Sequence, residues 1–178
     1  PQYFLLLTFI LFFVSKILFA QTELRYEHYT IANGMSSNFT RAIEQDAYGF
    51  LWIGTIDGLN CFNGYEFTSY YNQDNDSNSL SDNSINDLLV DKAGNLWIAT
   101  NRGLNKYVRA TNNFKRFFYS GSRNKNKSET LVINHISSDS EGNLWLGTDK
   151  GIRILNTVTN EVRTPQIKND SLRKFVDA

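Results

Sequence analysis

The sequence predicts an all-β fold: a partial β-propeller of about three four-stranded antiparallel blades, preceded by an apolar N-terminal signal-peptide helix. Three observations point there. One motif recurs three times, with Trp52, Trp97 and Trp145 spaced 45 and 48 residues apart; such periods with fixed Gly and Trp offsets are those of propeller blades. Short apolar and aromatic runs alternate with Gly, Asn and Asp, the chemistry of strands and turns. Aromatics are abundant (13 Phe, 9 Tyr, 3 Trp) and only 2 Pro occur, which favours strand over helix.

The chain opens on Pro1 and is read as incomplete or processed at its start. Residues 1–20 form the predicted signal peptide. The run from Tyr3 is broken only by Thr8, Ser15 and Lys16, and it ends on small Ala20 before polar Gln21. The alternative is an uncleaved anchor, since about 18 apolar residues just span a bilayer. Either way the rest of the chain is expected outside the cytoplasm, unless an anchor is inverted. Residues 21–39 are expected to be a lead-in segment with a strand at Leu24 to Thr30.

Blade 1 is placed at 40–71, with strands at 40–45, 50–55, 59–62 and 66–71. Blade 2 is placed at 84–119, with strands at 85–90, 96–100, 104–108 and 114–119. Blade 3 is placed at 132–164, with strands at 132–138, 144–148, 152–155 and 161–164. Residues 165–178 are read as the start of a further, truncated blade.

The repeated residues have physical jobs. Trp52, Trp97 and Trp145 sit mid-strand and are expected to fill the space between adjacent blades. Burying one indole removes about 200 Å² from water, an upper bound of ~5 kcal/mol. Asp46, Asp91 and Asp139 each precede Gly49, Gly94 and Gly142 by three residues. An Asp there can accept backbone N–H groups across a turn, while the Gly takes a positive φ. Calcium ligation is the rival reading, but one carboxylate per loop is too few for a cage, so no metal is expected. Gly58, Gly103 and Gly151 follow each Trp by six residues and suit a tight hairpin.

Other features exclude function classes. Lys plus Arg (18) equals Asp plus Glu (18), giving no basic excess for nucleic acid. The lone Cys61 is expected to be a small buried hydrophobe. The connectors at 72–82 and 120–130 are long and polar, and ligand contacts are sought there first. No phosphate loop, His-Glu-x-x-His, Cys-x-x-Cys or Gly-x-Ser-x-Gly occurs. His28 reads as structural or exposed. His135, at a position occupied by Ala42 and Asp87 in the other units, can face a central channel. No catalytic residue and no cofactor is expected in this stretch.

The repeat Asp-x-x-Gly-[Phe/Asn]-Leu-Trp-[Ile/Leu]-[Gly/Ala]-Thr-x-x-Gly-[Leu/Ile] resembles the two-component regulator propeller repeat. Phe62-Asn-Gly64, Ser79-Leu-Ser-Asp-Asn83 and the opening Tyr29-Thr-Ile-Ala-Asn-Gly34-Met-Ser-Ser-Asn38 extend the resemblance over roughly Leu24 to Thr164. It departs at Ala99, which replaces Gly, and in the third blade at Arg153 and Leu155. The resemblance implies the periplasmic sensor region of hybrid two-component histidine kinases of Bacteroidetes. It further implies an oligosaccharide ligand bound by the complete propeller, further blades, a homodimeric parent and a downstream membrane helix. Kinase output to transcription would then lie in parts not present here.

Alternatives are a secreted propeller enzyme acting on polysaccharide, or a propeller sensor with another output such as a cyclic-dinucleotide synthase. Three blades cannot close a ring of about four to eight, so the chain is expected to be open and arc-like.

Overall fold

The computed structural model describes residues 26–117 and 131–165. Within them lie three four-stranded antiparallel sheets, each made by consecutive hairpins. The first holds β1 (Thr40–Gln45), β2 (Leu51–Thr55), β3 (Gly58–Phe62) and β4 (Phe67–Tyr70). The second holds β5 (Ile85–Val90), β6 (Leu96–Thr100), β7 (Gly103–Val108) and β8 (Asn113–Phe117). The third holds β9 (Ile133–Ser138), β10 (Asn143–Thr148), β11 (Gly151–Asn156) and β12 (Val162–Arg163). The signal segment 1–20, the connector at 120–130 and all but the first residue of the further blade expected at 165–178 lie outside the described residues.

The sheets are propeller blades stacked face to face. Their first strands lie side by side, β1 against β5 and β5 against β9. The core lies between blades, because a sheet with two apolar faces needs a neighbour on each. One cluster joins Trp52 and Leu59 of blade 1 to Ile85, Leu88, Leu96, Ile98 and Phe114 of blade 2. A second joins Trp97, Ala99 and Leu104 of blade 2 to Ile133, Ile136, Leu144, Leu146 and Leu155 of blade 3. Trp52 and Trp97 are each 1% exposed, whereas Trp145 is 38% exposed. Trp52 and Trp97 fill the two joints, while Trp145 has no blade against it among the described residues.

The lead-in differs from expectation. Residues 26–39 hold no strand, only a single 3-10 turn at Ile31–Asn33. Local chemistry bends the chain there. The Thr30 side chain accepts from Ala32 N, Asn33 Oδ1 accepts from Thr30 N, and Gly34 closes the turn at φ 101°. The segment is held by Tyr29, whose ring packs 5.0 Å from Phe62 and 5.5 Å from Phe67. Blade 3 is less regular at its outer edge, where β12 keeps two residues.

Candidate ligand surface on the inner strands

Each blade is built around one turn. In blade 2 the Asp91 Oδ1 accepts the N–H groups of Ala93 and Asn95, both at 2.9 Å, and Gly94 turns at φ 80°. Its other oxygen receives the indole N–H of Trp97 at 2.7 Å. Asp46 and Trp52 (2.9 Å) and Asp139 and Trp145 (3.1 Å) repeat the bond. One carboxylate thus fixes both the hairpin and the rotamer of the residue that packs against the next blade. Asn143 and then Trp145, outweighing desolvation, hold the Asp139 carboxyl down at about 2. Burial works against ionisation of Asp46 and Asp91, yet the indole and other hydrogen bonds outweigh it and lower both.

Asn95 and Asn143 donate side-chain amides to their Asp, but blade 1 has Phe50 at that position. Arg109, on the one-turn helix Arg109–Thr111 that follows β7, takes over. Its guanidinium pairs with Asp46 across the blade joint and lies 4.1 Å over the Tyr48 ring.

A second repeated unit links each blade to the segment before it. Asn60 Oδ1 accepts from Ser36 N, Asn60 Nδ2 donates to Ser36 Oγ, and Ser36 Oγ meets Thr55 Oγ1 at 3.0 Å. Ser81, Asn105 and Thr100 repeat it in blade 2, with all three side chains buried. Thr148 still bonds Gly151 O in blade 3, but Arg153 stands where Asn would be. Sequence reasoning assigned these residues no role. The signal was available in the constant Thr55, Thr100 and Thr148 and in the matching Ser-to-Asn intervals.

The innermost strands carry the surface that can meet a ligand. In each, the register with its neighbour slips at one residue: Arg41, Asn86 and Asn134 are the extra residues of three equivalent bulges. Bulges re-aim side chains and gather beside functional sites. Arg41 Nη1 donates to Asn86 Oδ1 at 2.6 Å and to Ser84 Oγ at 3.1 Å. Asn86 Nδ2 in turn donates to Ile133 O at 2.9 Å. One residue on, Asp87 Oδ2 accepts from Ile136 N at 2.9 Å and lies 2.6 Å from His135 Nδ1. The result is a polar line across three blades, with the Arg41, Asn134 and His135 residues exposed. It offers donors and acceptors at blade spacing, suited to a ligand rich in hydroxyls. His135 belongs to this line; His28 is exposed in the lead-in and joins no group among the described residues.

The first polar connector is pinned at its far end, where Ser79, Leu80 and Ser81 are buried, while Gln73 to Asn75 and Ser77 to Asn78 stay exposed. Arg116 inserts into it, donating to Ser79 O, Asp76 O and Leu80 O at 2.8 Å each. Cys61 is partly buried against the first core cluster, and desolvation pushes its thiol up to about 11, which leaves it unreactive. Among the described residues no group of His, Cys, Asp and Glu could hold a metal ion.

Comparison with known proteins fits this geometry. The family model for the two component regulator propeller matches residues 34–57, 79–102 and 128–150. The chain is similar to the extracellular domain of a hybrid two component system from B. thetaiotaomicron, at 33% identity and a TM-score of 0.67 over 82% of this chain. It spans 20% of that domain. It is 44% identical over 54 residues to histidine kinase P4 of Formosa agariphila, covering 30% of this chain and 4% of the kinase. Virginiamycin B lyase from Staphylococcus aureus shares the fold, at 15% identity and a TM-score of 0.52 over 77% of this chain and 44% of the lyase. The three blades of this chain are two-component regulator propeller repeats.

Proposed function

We propose that these blades are part of the extracytoplasmic sensor of a membrane-anchored hybrid two-component histidine kinase, and that the sensor detects oligosaccharides on the periplasmic side. The observation that carries the reading is the likeness, over 82% of the chain, to the extracellular domain of a hybrid two component system. The inner strands support it: Arg41, Asn86, Asn134 and His135 place polar side chains in a row across three blades. A sensor of this kind binds and transmits. Ligand bound across several blades favours one blade arrangement, and the kinase downstream reads the shift.

Calorimetry with a panel of oligosaccharides on the full chain tests the reading. Binding of at least one, weakened about tenfold by Arg41→Ala at unchanged melting temperature, is expected. No heat from any member of a broad panel overturns it.

A further inference from the structure

The two blade joints are built from equivalent positions but are filled differently. On the third strand, the residue paired with the repeat Trp is Cys61 in blade 1, Lys106 in blade 2 and Ile154 in blade 3. At the joint between blades 1 and 2 the outer part is packed with rings. Tyr107 lies 4.6 Å and Tyr70 5.8 Å from Trp52, both hydroxyls donate to Asn112 Oδ1 at 2.8 Å, and Arg109 closes the rim on Asp46.

At the joint between blades 2 and 3 three of the equivalent positions carry smaller side chains, while Phe117 stands for Tyr70 and Asn160 for Asn112. Leu155 stands for Tyr107, Val162 for Phe114 and Thr157 for Arg109. A groove of about 480 Å³ runs along the outer part of blade 2, from the paired Asp46 and Arg109 at the first joint past Trp97, Lys106 and Lys115 to Asn160 of blade 3.

The charges in that groove point to its occupant. Lys106 and Lys115 face each other directly across β7 and β8. Like charges at opposed positions destabilise a sheet. Neither lysine reaches a carboxylate among the described residues, where the ion pairs are Arg109 with Asp46 and His135 with Asp87. The ammonium groups instead lie over ring faces, Lys106 at 5.4 Å from the Trp97 centroid and Lys115 at 5.0 Å from that of Phe117. Aromatic faces hold the two cations in place without neutralising them. An oxyanion between them converts their repulsion into two charge-assisted hydrogen bonds. Phe117 and Tyr48 offer ring faces beside it, and Asn160 an amide.

We infer that this groove binds the carboxylate or sulfate of an acidic saccharide. The inference rests on the saccharide-sensing reading and names the ligand class for it. The site is separate from the inner-strand line; its lysines lie on the outer strands of blade 2, and the Asp46 carboxylate at the far end of the groove is already neutralised by Arg109.

The test is calorimetry on the full chain with size-matched neutral, uronate-bearing and sulfated tetrasaccharides, and with inorganic sulfate. The acidic tetrasaccharides are expected to bind ~10-fold or more tightly than the neutral one and than free sulfate, with an affinity that falls with salt. Lys106→Gln with Lys115→Gln is expected to erase that gap while the circular dichroism holds and the melting temperature does not fall. Equal binding of neutral and acidic sugars overturns the groove site and leaves sensing intact, as does a gap that survives the double substitution. Binding of free sulfate as tight as that of the sulfated sugar overturns the saccharide assignment. Silence from all three sugars overturns the groove site, and the sensing reading is then decided by the broad panel.

Discussion

At the scale of single residues, three tryptophans of one motif have two different environments, and stability should separate them. Trp97 is 1% exposed between two blades, so Trp97→Ala is expected to cost about 3–5 kcal/mol in denaturant titration. Trp145, 38% exposed with an indole bond of 3.1 Å, should cost less than about 2 kcal/mol on the same change. Equal costs would mean that burial between blades is not what the motif supplies.

The aspartates give a pH signature of known sign. Asp46, Asp91 and Asp139 all have folded values below the usual carboxylate range, Asp139 at about 2. An unfolded Asp titrates near 3.9, so the unfolded chain binds more protons through that window. Their stabilisation is complete above that value and is lost as pH falls through the folded values. The melting temperature should therefore drop between about pH 5 and 2. Asp91→Asn should be less stable at pH 7 and show a shallower acid slope; an unchanged slope would remove the carboxylates as its cause. The Asp-to-Gly interval made the turn legible in the sequence. The bond to the indole was not, because nothing in a spacing of six residues says which way a strand side chain leans.

At the scale of elements, the joints matter more than the blades. A Cβ added at Gly54 would lie 2.5 Å from Ile85 Cγ2, so Gly54→Ala forces β2 and β5 apart and is expected to cost about 1–3 kcal/mol. The equivalent Ala99 is fully buried in the second cluster, so the second joint accepts a methyl that the first cannot. That difference agrees with the open groove beside Lys106. Asn105 is wholly buried and bonds both Ser81 N and Ser81 Oγ. Asn105→Ala strands those groups and should cost about 2 kcal/mol, with faster hydrogen exchange at the Ser81 amide.

The strands themselves were legible because alternation, glycine and the period agree; observed and expected bounds differ by a residue or two. The inner-strand line was not. Arg41, Asn86 and Asp87 read as unrelated polar residues until the bulges place each beside the next blade. A bulge is a register event between two strands and leaves no mark in one strand's sequence. Residues 26–30 of the expected lead-in strand form no ladder because they pair with no strand among the described residues, and the capped turn of Thr30, Asn33 and Gly34 follows directly.

At the scale of the whole molecule, the same interface is used twice and is left open at both ends of the described stack. Leu88 and Ile136 are 5% and 3% exposed against the preceding blade, while their counterpart Ile43 is 63% exposed. Trp145 lies on the opposite end, where Trp52 and Trp97 are covered. The two end faces are the two halves of one joint, so they are complementary to each other and not to themselves. Contact between copies through them is heterologous and propagates head to tail unless a ring closes. The period of the sequence made this legible in outline, since a blade that needs two neighbours leaves a face bare at each end of any open array. A chain limited to these three blades is therefore expected to self-associate with rising concentration in sedimentation velocity. Ile43→Lys combined with Trp145→Arg should shift it toward monomer while changing stability by about 1–2 kcal/mol, because both side chains are substantially exposed. A double variant that associates as strongly as the parent would place the adhesive surface elsewhere, and the exposed Phe39 and Tyr48, at 71% and 70%, would be the next residues to change.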